Sequence, residues 1–210
     1  MTNTLEFMTP AEEWERTLTE IATTPLQLAM VITGGGTGAI SRCFRRCGAS
    51  VNFVEAVVPY SRRSTEQYLG CDPVEGYSSI RTSKALAQVA YRRAESHSGR
   101  SEQSVGISLT ATLPTNTTIT DAGGNRSASQ ATASISESCI YVASHKTQIQ
   151  QSWSLCFPSD TYGRDAAESI AEQMFLIALH DSLAQRGLGR GSDPLGPLRE
   201  AGLHVTSTAN

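Results

Sequence analysis

The sequence is poor in lysine, in aromatic residues and in long hydrophobic runs. Of its 17 basic residues only Lys84 and Lys146 are lysine, and 6% of all residues are aromatic. The scarcity of lysine leaves few amines that can act as a base, because arginine stays protonated in proteins. No apolar run approaches the roughly 18 residues of a membrane-spanning helix, and residues 1–14 lack the hydrophobic region of a signal peptide. The sequence therefore predicts a cytoplasmic protein that does not bind membranes.

An excess of positive charge is also missing. The net charge of −3 argues against broad nucleic-acid binding.

The five cysteines (Cys43, Cys47, Cys71, Cys139 and Cys156) are odd in number and scattered, which predicts reduced thiols. Cys43 and Cys47 would share a helix face, but no second Cys/His pair has matching spacing. We therefore expect neither a metal site nor a cofactor.

The length of 210 residues, with 39% hydrophobic and 18% charged residues, suits one globular domain. We expect a flexible N-terminus over 1–10, a domain over 11–186 and a flexible tail over 187–210, where Gly and Pro recur at short intervals. The segment 115–126, rich in Thr, Asn, Asp and Gly, is predicted to be a long loop, either a functional lid or a disordered excursion.

Hydrophobic periodicity predicts alternating strands and helices. A helix from Pro10, capped by Thr9, should bury Trp14, Leu18 and Ile21. Further helices are predicted over 39–47, 62–69, 79–96 and 164–186, strands over 26–32, 51–58 and 104–110, and an antiparallel pair over 128–142 and 147–157. This order predicts an α/β domain, a three-layer α/β/α sandwich with a mixed sheet.

The first predicted strand runs into a glycine-rich turn that a helix follows. Glycine lets the backbone approach a ligand, and a helix N-terminus offers free N–H groups to an anion. The alternative is a tight turn without a ligand, and the turn alone does not decide between them. In open α/β sheets ligands bind beyond the carboxyl ends of the strands. Three such ends are predicted, at 33–37, 59–61 and 110–114.

Four short motifs occur in an informative order: ITGGGT at 32–37, GASVNF at 48–53, VVPYS at 57–61 and LG at 69–70. Their order and spacing, over about residues 12–186, resemble the C-terminal domain of the competence/damage-inducible CinA proteins. That family includes stand-alone nicotinamide mononucleotide deamidases. No single motif is specific, so the resemblance depends on the whole series.

The resemblance implies a CinA C-terminal-like fold, hydrolysis of the amide of a nicotinamide nucleotide, and assembly into a homo-oligomer. Ser50 would be the nucleophile and Tyr60 an active-site tyrosine. The remaining matched positions would bind the mononucleotide substrate: Thr33, Gly34, Gly35, Gly36, Thr37, Thr110 and Arg164.

One departure from the family pattern bears directly on catalysis. The family has a lysine five residues after the tyrosine, where this chain has Thr65. A serine hydroxyl needs an adjacent base to become a nucleophile, and the nearby Arg62 and Arg63 cannot take a proton. The family sequence A-G-P is also changed, to the residues at 112–114.

Two functional hypotheses remain. The first is an amide hydrolase that uses Ser50 and Tyr60, and the second is a catalytically lapsed relative that binds a nucleotide or a partner. A P-loop kinase site is disfavoured because the glycine turn lacks the G-K-[ST] ending. Each site residue also has a purely structural interpretation, such as a turn residue for Ser50 or a first-turn helix residue for Arg164.

Overall fold

The computed structural model describes residues 10–114, 137–184, 187–189 and 193–209. The strands in this part of the chain are β1 (Gln27–Thr33), β2 (Phe53–Val57), β3 (Ser104–Thr112), β4 (Glu137–His145), β5 (Gln150–Pro158) and β6 (Thr206–Ala209). The helices are α1 (Pro10–Ala22), α2 (Gly38–Phe44), α3 (Arg62–Leu69), α4 (Ile80–Ser98), α5 (Arg164–Ala184) and α6 (Gly196–Glu200).

The six strands form one sheet in the order β2-β1-β3-β4-β5-β6. β1 pairs parallel with β2 and β3, and the pairs from β3 to β6 are antiparallel. Helices α1, α2 and α5 pack on one face, and α4, flanked by α3, packs on the other. The predicted three-layer α/β/α sandwich with a mixed sheet is confirmed.

β1 shows why this sequence places a strand at the centre of the sandwich. Its alternate residues Leu28, Met30 and Ile32 belong to the large core on the α5 side. The intervening Ala29 and Val31 pack with α4 on the opposite side. A strand covered on both faces needs a continuous apolar run, and burying each large side chain contributes about 1.5–3 kcal/mol.

Serine and glycine mark the ends of the two helices on the α4 side. The side chain of Ser61 accepts a hydrogen bond from the Ser64 N–H at 3.2 Å and begins α3, while Ser79 caps α4 in the same way. α3 ends at Gly70 in the left-handed conformation. These caps satisfy backbone groups that a helix leaves unpaired at its ends.

The C-terminal region differs from the sequence expectation. Where a flexible tail was predicted over 187–210, the described residues form α6 and β6, and β6 pairs with β5. Leu198 and Leu203 are buried in the core, and this contact holds the segment against the domain. The frequent glycines and prolines obscure these two widely spaced leucines, so the expectation of a flexible tail is corrected here.

Two boundaries near the glycine turn also differ. α2 ends at Phe44 rather than at Cys47, and residues Ala49–Val51 form a short 3-10 helix instead of the start of a strand. β2 begins only at Phe53. Gly48 in the left-handed conformation, with φ 78°, separates α2 from this short helix.

The cysteines correct the prediction of five reduced thiols. Cys139 and Cys156 lie directly opposite each other on β4 and β5 and form a disulfide, with their Cα atoms 4.2 Å apart. The sequence does not reveal this pair because it depends on the strand register. Cys43 is buried, and burial raises the pKa of its thiol to about 12. Cys47 lies exposed beyond the end of α2, so the two do not form a helix-face pair.

Several sequence-based expectations concern residues outside the described ranges. They are residues 1–9 of the flexible N-terminus predicted over 1–10, the long loop over 115–126 and the first part of the predicted strand, at 128–136. In the described part of the chain no helix has the length and apolar character that crossing a membrane requires.

Candidate functional site

The carboxyl ends of β1, β2 and β3 lie side by side at one edge of the sheet. The glycine turn follows β1, Tyr60 follows β2, and Thr110 lies near the end of β3. Arg164, the first residue of α5, reaches the turn and lies 3.4 Å from the Gly34 carbonyl oxygen. We call the group formed by 34–36, Tyr60, Arg164 and Glu168 the carboxyl-edge cluster.

Arg164 is held by several acceptors. Its Nε and Nη2 atoms donate to Glu168 Oε1 at 2.9 and 2.6 Å, and Nη2 also approaches the Gly34 carbonyl oxygen at 3.4 Å. Nη1 lies 3.5 Å from the Pro114 carbonyl oxygen. Burial acts to lower the pKa of Arg164, but the bonds and charge of Glu168, with a further contribution from the nearby Tyr60 phenol, raise it above its usual value. The guanidinium therefore stays charged and is directed at protein acceptors.

Glu168 occupies the position that an anion would take at the glycine turn. While Oε1 binds Arg164, Oε2 accepts a hydrogen bond from the Gly36 N–H. Such backbone N–H groups before a helix are the donors that bind phosphate in other α/β proteins. Here the chain supplies its own carboxylate, and the bond is charge-assisted.

A second carboxylate lies one helical turn further along α5. Glu172 Oε2 accepts from Arg42 Nε at 2.8 Å. A Cβ atom added to Gly38 would lie 1.9 Å from Glu172 Oε1. The two carboxylates at the glycine turn are thus each paired with one arginine. Because each arginine is neutralised by one carboxylate, these two pairs provide no net positive charge at the turn to attract a phosphate.

Close packing accounts for the glycines of the turn. A Cβ atom on Gly34 would lie 1.9 Å from the Ala111 carbonyl oxygen, and Gly34 has φ +81°. On Gly35 the Cβ atom would lie 2.3 Å from Leu113 Cδ1. Only glycine can adopt the left-handed conformation of Gly34 while its backbone lies so close to the end of β3. These contacts support the interpretation of a tight turn without a ligand.

The hydroxyl groups expected at the site are bonded to the protein itself. Thr33 donates to the Pro59 carbonyl at 3.0 Å, and Thr110 donates to the Tyr77 carbonyl at 2.7 Å, with both threonines buried. A hydroxyl has a single proton to donate, so neither is free to donate to a ligand. Thr37 is exposed, and its side chain makes no capping bond to α2.

Thr65, at the position of the family lysine, is also part of the packed structure. Its side chain is 2% exposed, and its hydroxyl lies 2.8 Å from the Pro59 carbonyl oxygen and 3.1 Å from that of Ser61. It closes the first turn of α3. The structure thus gives this residue a role in holding the chain between β2 and α3.

Ser50 lies at the opposite end of the parallel strands, just before β2 begins. It belongs to the 3-10 helix that precedes β2, whereas Tyr60 follows β2. From Phe53 to Val57 the strand spans about 13 Å at roughly 3.3 Å per residue. A single chain therefore does not bring Ser50 to the carboxyl-edge cluster, and its role as a nucleophile stays a prediction.

Sequence reasoning missed Glu168 and Glu172. The spacing of four between Arg164 and Glu168 is a signal for an ion pair on a helix surface, and the structure contains that pair. No local signal shows that the same carboxylate also reaches Gly36, which lies 132 residues away in the sequence.

Comparison with known proteins concerns the fold. No protein-family model and no curated protein matches this sequence. The structure is similar to a CinA superfamily protein from Escherichia coli at 14% identity and TM-score 0.55, over 89% of this chain and 93% of that one. The chain has the CinA-like fold.

Two further structures show the same likeness. One is a CinA superfamily protein from Klebsiella pneumoniae, at 12% identity and TM-score 0.56, over 85% of this chain and 99% of that one. The other is a competence/damage-inducible protein from Agrobacterium tumefaciens, at 17% identity and TM-score 0.51, over 86% of this chain and 98% of that one. The CinA-like fold expected from the motif order is confirmed.

Proposed function

We propose that this CinA-like chain is a partner-binding module that does not hydrolyse nicotinamide nucleotides. The observation that carries the proposal is the Glu168 carboxylate, bound both to the Gly36 N–H and to Arg164. The resemblance assigns those two groups to the substrate. Here they are already joined by a negative side chain of the same protein.

A nucleotide phosphate would have to displace this carboxylate or lie beside it. Two like unit charges about 4 Å apart near a protein surface repel by roughly 4 kcal/mol. Displacement would break the charge-assisted bonds of Arg164 and Gly36, which are stronger than ordinary hydrogen bonds. Either route weakens phosphate binding at this turn.

The described lysines do not supply the missing base. Thr65 has no basic group, and its hydroxyl is bonded to Pro59. Lys84 lies on α4, on the β5 side, where its carbonyl accepts from Gln150. Lys146 follows β4 and pairs with Asp181 at 3.9 Å. β1 and β3 separate β4 from β2, which places Lys146 about three inter-strand spacings, or roughly 14 Å, from β2.

The exposed apolar side chains around β2 support partner binding. β2 is an edge strand of the sheet. Phe44, Val51, Val58 and Tyr60 are 43%, 62%, 42% and 66% exposed and flank the two ends of this strand. Exposed apolar groups beside an unpaired strand edge favour association with another protein surface. A second copy of the chain is the partner that we propose, in keeping with the predicted homo-oligomer.

One observation favours the alternative, an amide hydrolase of the nicotinamide mononucleotide deamidase type. The Tyr60 phenol lies near enough to Arg164 to raise the pKa of the guanidinium, and the resemblance assigns both residues to the active site. Tyr60 is also largely exposed and accessible to a ligand.

The two functions differ in a direct assay. Purified chain incubated with nicotinamide mononucleotide is expected to release no ammonia above the blank in a coupled glutamate dehydrogenase assay. Turnover that disappears in Tyr60→Phe would establish the hydrolase instead.

Light scattering after size-exclusion chromatography tests partner binding. The double variant Val51→Asp/Val58→Asp should shift an oligomer of the chain toward the monomer. The exposed Val74→Asp, outside this surface, is the matched control.

A further inference from the structure

Three potential metal ligands meet on β4 and β5, away from the carboxyl-edge cluster. Glu137 and Cys139 are two residues apart on β4 and share a face, and Cys156 lies opposite Cys139 on β5. One carboxylate oxygen of Glu137 and the two sulfur atoms lie within 4.8 Å of one another. Within the described ranges it is the one such group of three or more His, Cys, Asp or Glu side chains.

We propose that Glu137, Cys139 and Cys156 form a redox-controlled site for a thiophilic divalent cation such as Zn²⁺. In the disulfide form seen here the sulfurs are bonded to each other and the site is closed. In the dithiol form the two thiolates and the carboxylate bind the cation, and solvent fills the fourth position.

The positions of the ligands suit a tetrahedral ion. Zn–S bonds of about 2.3 Å and Zn–O bonds of about 2.0–2.2 Å place ligand atoms on one ion roughly 3.3–3.8 Å apart. The three ligand atoms already lie within 4.8 Å of one another. The strand ladder fixes the two backbones with the Cα atoms of the cysteines 4.2 Å apart, so side-chain rotations alone bring the sulfurs to this spacing.

The charge and exposure of the group also suit a cation. Glu137 and Cys156 are exposed and Cys139 is half-buried, so an ion has a path from solvent. No lysine, arginine or histidine of the described chain forms a salt bridge with Glu137. Glu168 and Glu172 are each paired with an arginine. The Glu137 carboxylate therefore keeps its negative charge available for a metal.

The conversion between the two forms balances with a dithiol reductant. The reductant gives two electrons and two protons to the Cys139–Cys156 bond and becomes a disulfide itself. The S–S bond breaks and two thiols form. When the cation binds, each thiol releases its proton to solvent and the thiolate takes its place on the ion. A disulfide oxidant such as cystine takes two electrons from the two thiolates and, with two protons from solvent, becomes two thiols; the S–S bond forms again and the cation is released.

The experiment compares reduced and oxidised full-length chain. Dithiothreitol reduces the protein, gel filtration under nitrogen removes the reductant, and circular dichroism checks that the chain is folded. Cd²⁺ is then titrated, because cadmium–thiolate bonds give an ultraviolet charge-transfer band. We expect saturation at one equivalent in the reduced chain and no band in the cystine-oxidised chain. Zn²⁺ should displace Cd²⁺ and abolish the band.

Variants assign the ligands. Cys139→Ser and Cys156→Ser should each weaken binding at least about 100-fold, and Glu137→Gln by about 10-fold, in line with the loss of metal ligands. The double variant Cys47→Ser/Cys71→Ser removes the two exposed cysteines outside the site and should bind like the natural chain. All three ligand variants are checked by circular dichroism beside this control.

Three results would overturn the proposal. One is a disulfide that dithiothreitol cannot reduce in the folded chain, or whose reduction unfolds it, which would make it a structural disulfide only. Another is equal Cd²⁺ binding by the oxidised and reduced chains. The third is binding that survives in Cys139→Ser and Cys156→Ser but falls in the Cys47/Cys71 variant.

Discussion

The glycine turn is packed against the end of β3 and against α5, whereas Ser50, in a short 3-10 helix, is exposed to solvent. Atoms of Ala111 and Leu113 lie so close to the turn that side chains on Gly34 and Gly35 would collide with them, and Glu168 Oε1 would lie 3.4 Å from a Cβ atom on Gly35. Ser50 is exposed, and a Cβ atom on the neighbouring Gly48 would meet nothing within 4 Å. The two segments have similar small polar sequences but opposite physical surroundings.

The difference shows that a motif of small residues can have two different physical causes. In the glycine turn, small residues are required because neighbouring backbone and side chains occupy the adjacent space. Around Gly48 and Ser50 no neighbouring atoms of the described chain impose such a constraint, although Ala49 between them packs partly against the core. A ligand role for the turn therefore has to compete with protein contacts, while a role for Ser50 requires a surface from another molecule.

The largest effect that tests this comparison is on stability. Gly34→Ala should lower the free energy of unfolding by about 4 kcal/mol, from left-handed strain and the collision with the Ala111 carbonyl together. Gly48→Ala is the matched control, since Gly48 has nearly the same φ, +78°, but open space around it. It should cost about 1 kcal/mol. Urea denaturation measures both, and equal losses would show that crowding at the turn is unimportant.

Substitutions of Thr65, which stands where the CinA family pattern has a lysine, test the second part of this comparison. Thr65→Lys should lose about 3 kcal/mol because it removes the hydroxyl bonded to Pro59 and places an ammonium in a site only 2% exposed. The variant should not release ammonia from nicotinamide mononucleotide, since Ser50 lies at the opposite end of the parallel strands. Thr65→Ser keeps the hydroxyl and should cost about 1 kcal/mol. A stable and active lysine variant would contradict the structural role assigned to Thr65.

Glu168 tests whether the turn is blocked by its own side chain. Glu168→Ala should cost about 1–2 kcal/mol, since the carboxylate is partly exposed. It should also free the Gly36 N–H and Arg164 for an anion. Inorganic phosphate at ten times its dissociation constant should then add about 1.4 kcal/mol of stability, an effect absent in the natural chain. Glu168→Gln leaves the turn occupied and should not respond to phosphate, and thermal unfolding compares all three proteins.

The architecture followed from the sequence because local patterns encode it. The continuous apolar run of β1, the serine caps of α3 and α4, and the Trp14, Leu18 and Ile21 spacing of α1 each predict an element that the structure contains. Period and capping depend on neighbours within a few residues, so a single sequence displays them directly.

The candidate site could be predicted only in part, because its contacts join distant segments. The sequence placed Tyr60 at the carboxyl end of a strand, and the resemblance assigned Arg164 to the same site; in the structure the Tyr60 phenol lies near enough to raise the pKa of Arg164. It could not show that Glu168 binds Gly36, because that contact depends on how α5 packs against the glycine turn. The predicted strand over 51–58 already separates Ser50 from Tyr60, as β2 does in the structure. The disulfide between Cys139 and Cys156 depends in the same way on strand register.

The smallest effect concerns Ser50 itself. Because Ser50 is exposed and lies outside the carboxyl-edge cluster, Ser50→Ala should change the free energy of unfolding by less than about 0.5 kcal/mol. The ammonia assay should give the same blank-level result for the variant and the natural chain. If the natural chain instead turns over substrate and Ser50→Ala stops it, the serine acts in a site that one chain does not complete. Mixing Ser50→Ala with Tyr60→Phe chains would then restore part of the activity, because a mixed dimer would contain one intact shared site.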